Sequence, residues 1–118
     1  MKKDKLLDVM SLYFRTLAGG YCQKCNKFFG IYRLQLCHGV GRWKLATRYE
    51  QDNLAVLCAG CHREIDQNMF AKTELFFKLV GAERYEALRV QSEKIKVKID
   101  KEALLDYYKG RLQEIEGG

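Results

Sequence analysis

A length of 118 residues with 47% apolar content bounds the chain to one domain, or one core with helical arms. No apolar run approaches the roughly 18 residues of a membrane span, and the basic start Met1-Lys2-Lys3-Asp4-Lys5 leads into an amphipathic stretch rather than a signal-peptide core. A cytoplasmic protein without a membrane partner is therefore expected. The net charge of +6 is unevenly spread: residues 1–50 carry ten Lys/Arg against three Asp/Glu, and residues 51–118 carry eleven against twelve. Lys24, Lys27, Arg33, Arg42, Lys44 and Arg48 form a basic patch that suits a polyanion such as nucleic acid, or serves as a solubilising face.

Residues 4–18 read as a helix with Leu6, Met10, Tyr13, Phe14 and Leu17 on one face, ended by Gly19-Gly20. Phe28–Leu36 has the alternation of a short strand or hairpin arm and delivers Cys37-His38 to its end. Gly39-Val40-Gly41-Arg42 is a loop, Lys44–Tyr49 a further short extended piece, and Glu50–Asn53 a polar turn. Leu54–Leu57 is a brief apolar strand, and a helix begins at Ala59. From Asn68 the pattern is helical: Phe70, Leu75, Phe76 and Leu79 up to Gly81, then Tyr85, Leu88 and Ile95, then a last helix capped by Asp100 with Leu104, Leu105, Tyr108, Leu112 and Ile115 inward. The alternation Lys94–Ile99 is alternatively a short strand. Trp43 and Tyr49 fit core packing better than base stacking. The expected organisation is a single domain, 1–118: an N-terminal helix (1–20), a metal-closed core (21–68) and a helical extension (69–118).

The core is marked by cysteines. Cys22-x-x-Cys25 and Cys58-x-x-Cys61 are two thiol pairs that satisfy the tetrahedral preference of zinc and leave no open coordination position, so a structural Zn2+ is expected. Cys37 is left over, which makes a full disulfide framework awkward. Cys58-x-x-Cys61-His62 also matches a c-type haem attachment site, but that reading leaves the first pair without a role.

The two histidines of the chain both fall in or beside the metal-closed loop. A histidine at a strand end, His38, is suited to act as general base toward water, with a side-chain amide such as Asn53 fixing its ring or its loop. A histidine at a helix start, His62, can present a neutral imidazole to a second metal ion. Asp66, one helical turn on, shares its face and offers an oxygen ligand.

The arrangement Cys22-x-x-Cys25, His38, Asn53, Cys58-x-x-Cys61-His62 resembles the zinc-stapled HNH endonucleases, over roughly residues 21–68. The resemblance implies an α+β fold built on a small ββα-metal (HNH/His-Me finger) unit, with His38 as general base, Asn53 orienting it and His62 binding a catalytic Mg2+ or Mn2+. A narrower likeness joins His38-Gly-Val-Gly-Arg42, Ala46-Thr47-Arg48-Tyr49, Asn53, Cys58-Ala-Gly-Cys61, Asn68 and the stretch Phe76–Leu88 to the phage lambda NinG/Rap-type recombination nucleases, which implies a DNA endonuclease acting on branched or junction intermediates. Arg42, Lys44 and Arg48 are then the DNA-contacting cations. Two positions depart from these patterns. Cys37, a soft thiol ill-suited to magnesium, stands where many HNH enzymes carry a metal ligand, and His62 stands where the phage nucleases carry Asn. The alternative from another class is a non-catalytic zinc-stapled DNA-binding module.

Overall fold

The computed structural model describes residues 4–117. Among them are six α-helices and one two-stranded antiparallel sheet, an α+β architecture. No helix is long and apolar enough to cross a membrane.

Helix α1 (Lys5–Leu17) is capped by Asp4, whose Oδ1 accepts from Leu7 N at 3.1 Å. Leu6, Leu7, Met10 and Tyr13 are its buried face. Leu17, expected inside, is 57% exposed, and Leu7 takes an inward place instead. Strand β1 (Leu34–His38) pairs with β2 (Leu54–Cys58) from Leu34 opposite Cys58 to His38 opposite Leu54. The strand expected at Phe28–Leu36 therefore begins late. Phe28 instead bridges Tyr21, and Ile31–Arg33 is a 3-10 turn, tied to α1 by Arg15 Nη1 donating to Ile31 O at 2.6 Å.

The expected extended piece at Lys44–Tyr49 is a helical turn, α2 (Leu45–Arg48), followed by a 3-10 turn at Gln51–Asn53. Backbone bonds from Thr47 N to Lys44 O and from Glu50 N to Thr47 O coil the loop, so its apolar residues Ala46 and Tyr49 reach the core three positions apart, not two. After β2 come α3 (Ala59–Gln67), α4 (Met69–Val80), α5 (Ala82–Ser92) and α6 (Lys101–Gly117). Asn68 caps α4, with Oδ1 accepting from Phe70 N and Ala71 N, and Asp100 Oδ1 accepts from Ala103 N at the start of α6. Residues 94–99 form neither strand nor helix. Phe70 and Ile95, expected to pack, are 88% and 92% exposed.

Two apolar clusters share the sheet. All five residues of β2 are buried. Alternation along the strands puts Gln35, Cys37, Ala55 and Leu57 on one face and Leu36, His38, Leu54 and Val56 on the other. Leu36 and Leu54 pack with Leu6, Met10 and Tyr13 of α1 and Tyr108 of α6. Cys37, Ala55 and Leu57 pack with Ile65 of α3, Leu75 and Phe76 of α4 and Tyr85 of α5. The local order strand, loop, strand, helix is thus clamped between α1 and the α3–α5 layer.

Candidate metal and catalytic site

The first knuckle is a tight hairpin between Tyr21 and Phe28. Cys22 N donates to Lys27 O and Asn26 N to Cys22 O, with Asn26 at a φ of 62°. Gly20 lets this hairpin close: at φ +84° a Cβ there would lie 2.7 Å from the Phe28 ring and 3.0 Å from Gly30 Cα. Gln23 then docks the knuckle on β2, its backbone N donating to Val56 O at 2.9 Å and its Oε1 accepting from Val56 N at 2.6 Å. The second knuckle is the N-terminus of α3, where Cys58 Sγ accepts from Cys61 N.

The sulfurs of Cys22, Cys25, Cys58 and Cys61 all lie within 4.8 Å of one another. A zinc tetrahedron with Zn–S bonds of ~2.3 Å needs sulfurs ~3.8 Å apart, so the four thiols fit a structural zinc. Burial raises Cys22, but hydrogen bonds from the backbone of Cys25, Cys58 and Lys24 outweigh it and leave the thiol at about 7. Cys61 is pushed up by burial and by the neighbouring thiols. Cys37 lies outside this set. It is 2% exposed and packs in the core, and burial pushes its thiol far up.

His38 ends β1 with Nε2 3.0 Å from Arg48 O. A neutral ring donating through Nε2–H carries its lone pair on Nδ1. Burial lowers the ring to about 4. The bond to Arg48 opposes the shift, and the charges of Arg42, Arg48 and Lys72 reinforce it. Asn53 is fully buried and touches the loop, not the ring: Oδ1 accepts from Val40 N at 2.6 Å, while Nδ2 donates to Val40 O and Thr47 O at 3.0 Å each. It is a positioning residue, pinning both limbs of the loop that links His38 to its acceptor.

His62 stands on α3 with Nδ1 2.6 Å from Gln35 Oε1 and Nε2 3.4 Å from Asp66 Oδ2. The two ring nitrogens thus face Gln35 Oε1 and Asp66 Oδ2. His62 and Asp66 share one face of α3.

The expected DNA-contacting residues differ in availability. Arg42 is exposed, and among the described residues its side chain makes no ion pair. Arg48 Nε donates to Arg42 O at 2.8 Å. Lys44 pairs with Glu93 at 3.5 Å, and Lys24 at the zinc knuckle pairs with Glu64. Tyr49 is core, as expected, with its OH donating to Asp4 Oδ2. Trp43 is 75% exposed, against the expectation of packing.

Residues that support the site escaped the sequence reading. Gln35 orients His62, Gln23 docks the knuckle, and Tyr85 donates to Gly39 O at 3.1 Å. Gln91 of α5 donates to Ala46 O and to Glu50. Gln35 alone left a signal, as the polar member of an otherwise apolar strand start.

Comparison of the chain with models of known families, with curated proteins and with solved structures found no match.

Proposed function

We propose that the protein is a metal-dependent DNA endonuclease of the HNH type, its β1–loop–β2–α3 unit being a zinc-stapled ββα-metal fold. The observation that carries this reading is the His38–Arg48 hydrogen bond, which leaves a free Nδ1 lone pair on a ring that stays neutral at physiological pH. His38 Nδ1 takes a proton from a water, whose oxygen attacks phosphorus as the bond to the leaving 3′ oxygen breaks. Asn53 keeps the loop, and so the ring, in register for that transfer. His62 and Asp66 would hold the catalytic divalent ion, with Gln35 fixing the His62 ring. Such an ion, Mg2+ or Mn2+, supplies positive charge against the phosphate and the leaving oxygen. Arg42 and Arg48 orient the backbone.

A second reading, a zinc-stapled DNA-binding module without catalysis, is favoured by one observation. The position before His38 supplies a core-buried thiol and no metal-ligating oxygen. Plasmid nicking with Mg2+ or Mn2+, with a chelator control, separates the two. The nuclease reading expects metal-dependent nicking that falls about 10²–10⁴-fold in His38→Ala while DNA affinity is kept. DNA binding without nicking in either metal selects the binding module. Within the nuclease reading, the NinG/Rap likeness and a phosphate-contacting patch favour substrates chosen by shape, so four-way junctions should outcompete linear duplex at fixed salt.

A further inference from the structure

We infer that Trp43 is a stacking platform for an unpaired nucleic-acid base held beside the proposed cleavage site. This rests on the nuclease reading and adds a contact that the hydrolysis itself does not require. Trp43 is the only tryptophan of the chain and is 75% exposed on the β1–β2 loop. Its indole is not loose. A Cβ on Gly41 would lie 2.7 Å from Trp43 Nε1, so the ring folds back over that backbone. Lys44 Nζ stands 4.5 Å from the ring centroid and is itself tied to Glu93.

The ring is also linked to the reacting end of the loop. Arg42, its neighbour in sequence, accepts from Arg48 Nε, and the Arg48 carbonyl holds His38. Phosphate bound at Arg42 and Arg48 therefore brings its nucleotide next to the indole. A cleft of about 370 Å³ runs from Trp43 and Gly41 to Arg89 and Glu93 of the α5 end. Glu86 and Glu93 in its wall are paired with Arg89 and Lys44, so the wall carries no net charge to hold a phosphate. A flat neutral base is the part of a nucleotide that suits such a wall. Bases in intact duplex have both faces covered, so the platform selects unpaired or displaced nucleotides.

Because Trp43 is the sole tryptophan, its fluorescence reports this contact directly. Full-length His38→Ala protein, used to prevent cutting, is titrated at fixed salt with a single-stranded oligonucleotide and with the same sequence as duplex. Saturable quenching by the single strand, exceeding that by duplex, is expected. In the same background Trp43→Ala should weaken single-strand binding about 5- to 100-fold and duplex binding far less, while Trp43→Phe keeps most of the affinity. Duplex and single strand both binding without quenching, or Trp43→Ala weakening both alike, would overturn the inference and leave the nuclease reading standing. Failure of the protein to bind either DNA overturns both.

Discussion

The Nε2 of His38 lies 3.0 Å from the carbonyl of Arg48, so the histidine that ends β1 is held by the far limb of the loop it begins. That hydrogen bond sets the ring's tautomer and orientation, while the Asn53 amide pins the loop that carries the acceptor. Its geometry also links protonation to folding.

His38 has a folded-state value of about 4 against an ordinary 6.5. Its native form is therefore the neutral ring, and the unfolded chain takes up a proton that the native one refuses as pH falls below 6.5. The contribution to stability is intact above 6.5, is lost as pH falls toward 4, and levels off below that, with an upper bound of about 3 kcal/mol. Urea unfolding at pH 7.5 and pH 5 should show a smaller pH difference in His38→Gln than in the wild type. Both proteins carry the same thiols, so comparing them cancels the acid sensitivity of a zinc site. Equal pH differences would mean that His38 is solvated in solution.

Asn53 satisfies three backbone groups from a fully buried position. Asn53→Ala leaves Val40 N–H, Val40 O and Thr47 O without partners and opens a polar cavity. A destabilisation of about 2–4 kcal/mol is expected, seen as a lower urea midpoint with little change in slope. Asn53→Asp replaces the donating amide by an oxygen facing two carbonyls and should be no better. If Asn53 bonded the ring alone, Asn53→Ala would cost activity with no loss of stability.

The zinc prediction follows from the sulfur cluster. Elemental analysis should find about one zinc per chain, and Cys58→Ser should lose the ion and the cooperative unfolding transition, since structural zinc binding contributes directly to folding free energy. Cys37→Ser tests the reverse. Cys37 packs in the same core cluster but is not one of the four gathered sulfurs, so zinc stoichiometry should stay at one. A stable, metal-free Cys58→Ser protein would dismiss the staple.

What the sequence made legible followed from short-range rules. The thiol pairs, the polar turn before Leu54, the Asn68 and Asp100 ends of helices, and the strand–loop–strand–helix order all depend on residues within a few positions of one another. The misreadings arose where distant packing decides. Leu17, Phe70 and Ile95 have apolar spacing that matches a helix face, but they stay 57%, 88% and 92% exposed, because spacing alone does not say which face a distant element covers. The α2 turn looked extended because Asn53 and Gln91, which bond its carbonyls, lie 6 and 45 residues from their acceptors Thr47 and Ala46. Gly39 was legible only as a loop breaker. Its packing role, a Cβ that would sit 3.0 Å from Phe76 and from Tyr85, depends on helices far along the chain.

Charge pairing separates the basic residues of the β1–β2 loop in a way that salt dependence can read. Arg42 is exposed with no carboxylate on its side chain among the described residues, whereas Lys44 already faces Glu93 at 3.5 Å. A cation that neutralises a phosphate releases counterions and adds close to one unit to the slope of log affinity against log salt. Arg42→Ala should therefore weaken binding to all DNA sequences alike and lower that slope by about 1. Lys44→Ala removes a charge that a glutamate partly offsets and should change the slope less. Glu93→Gln, which frees Lys44 without touching any other ion pair, should raise affinity at low salt and steepen the slope. Filter binding of one duplex across a salt series with the four proteins, wild type included, gives all three numbers. Equal slopes for Arg42→Ala and the wild type would remove Arg42 from the DNA interface and leave Arg48 as the cation beside His38.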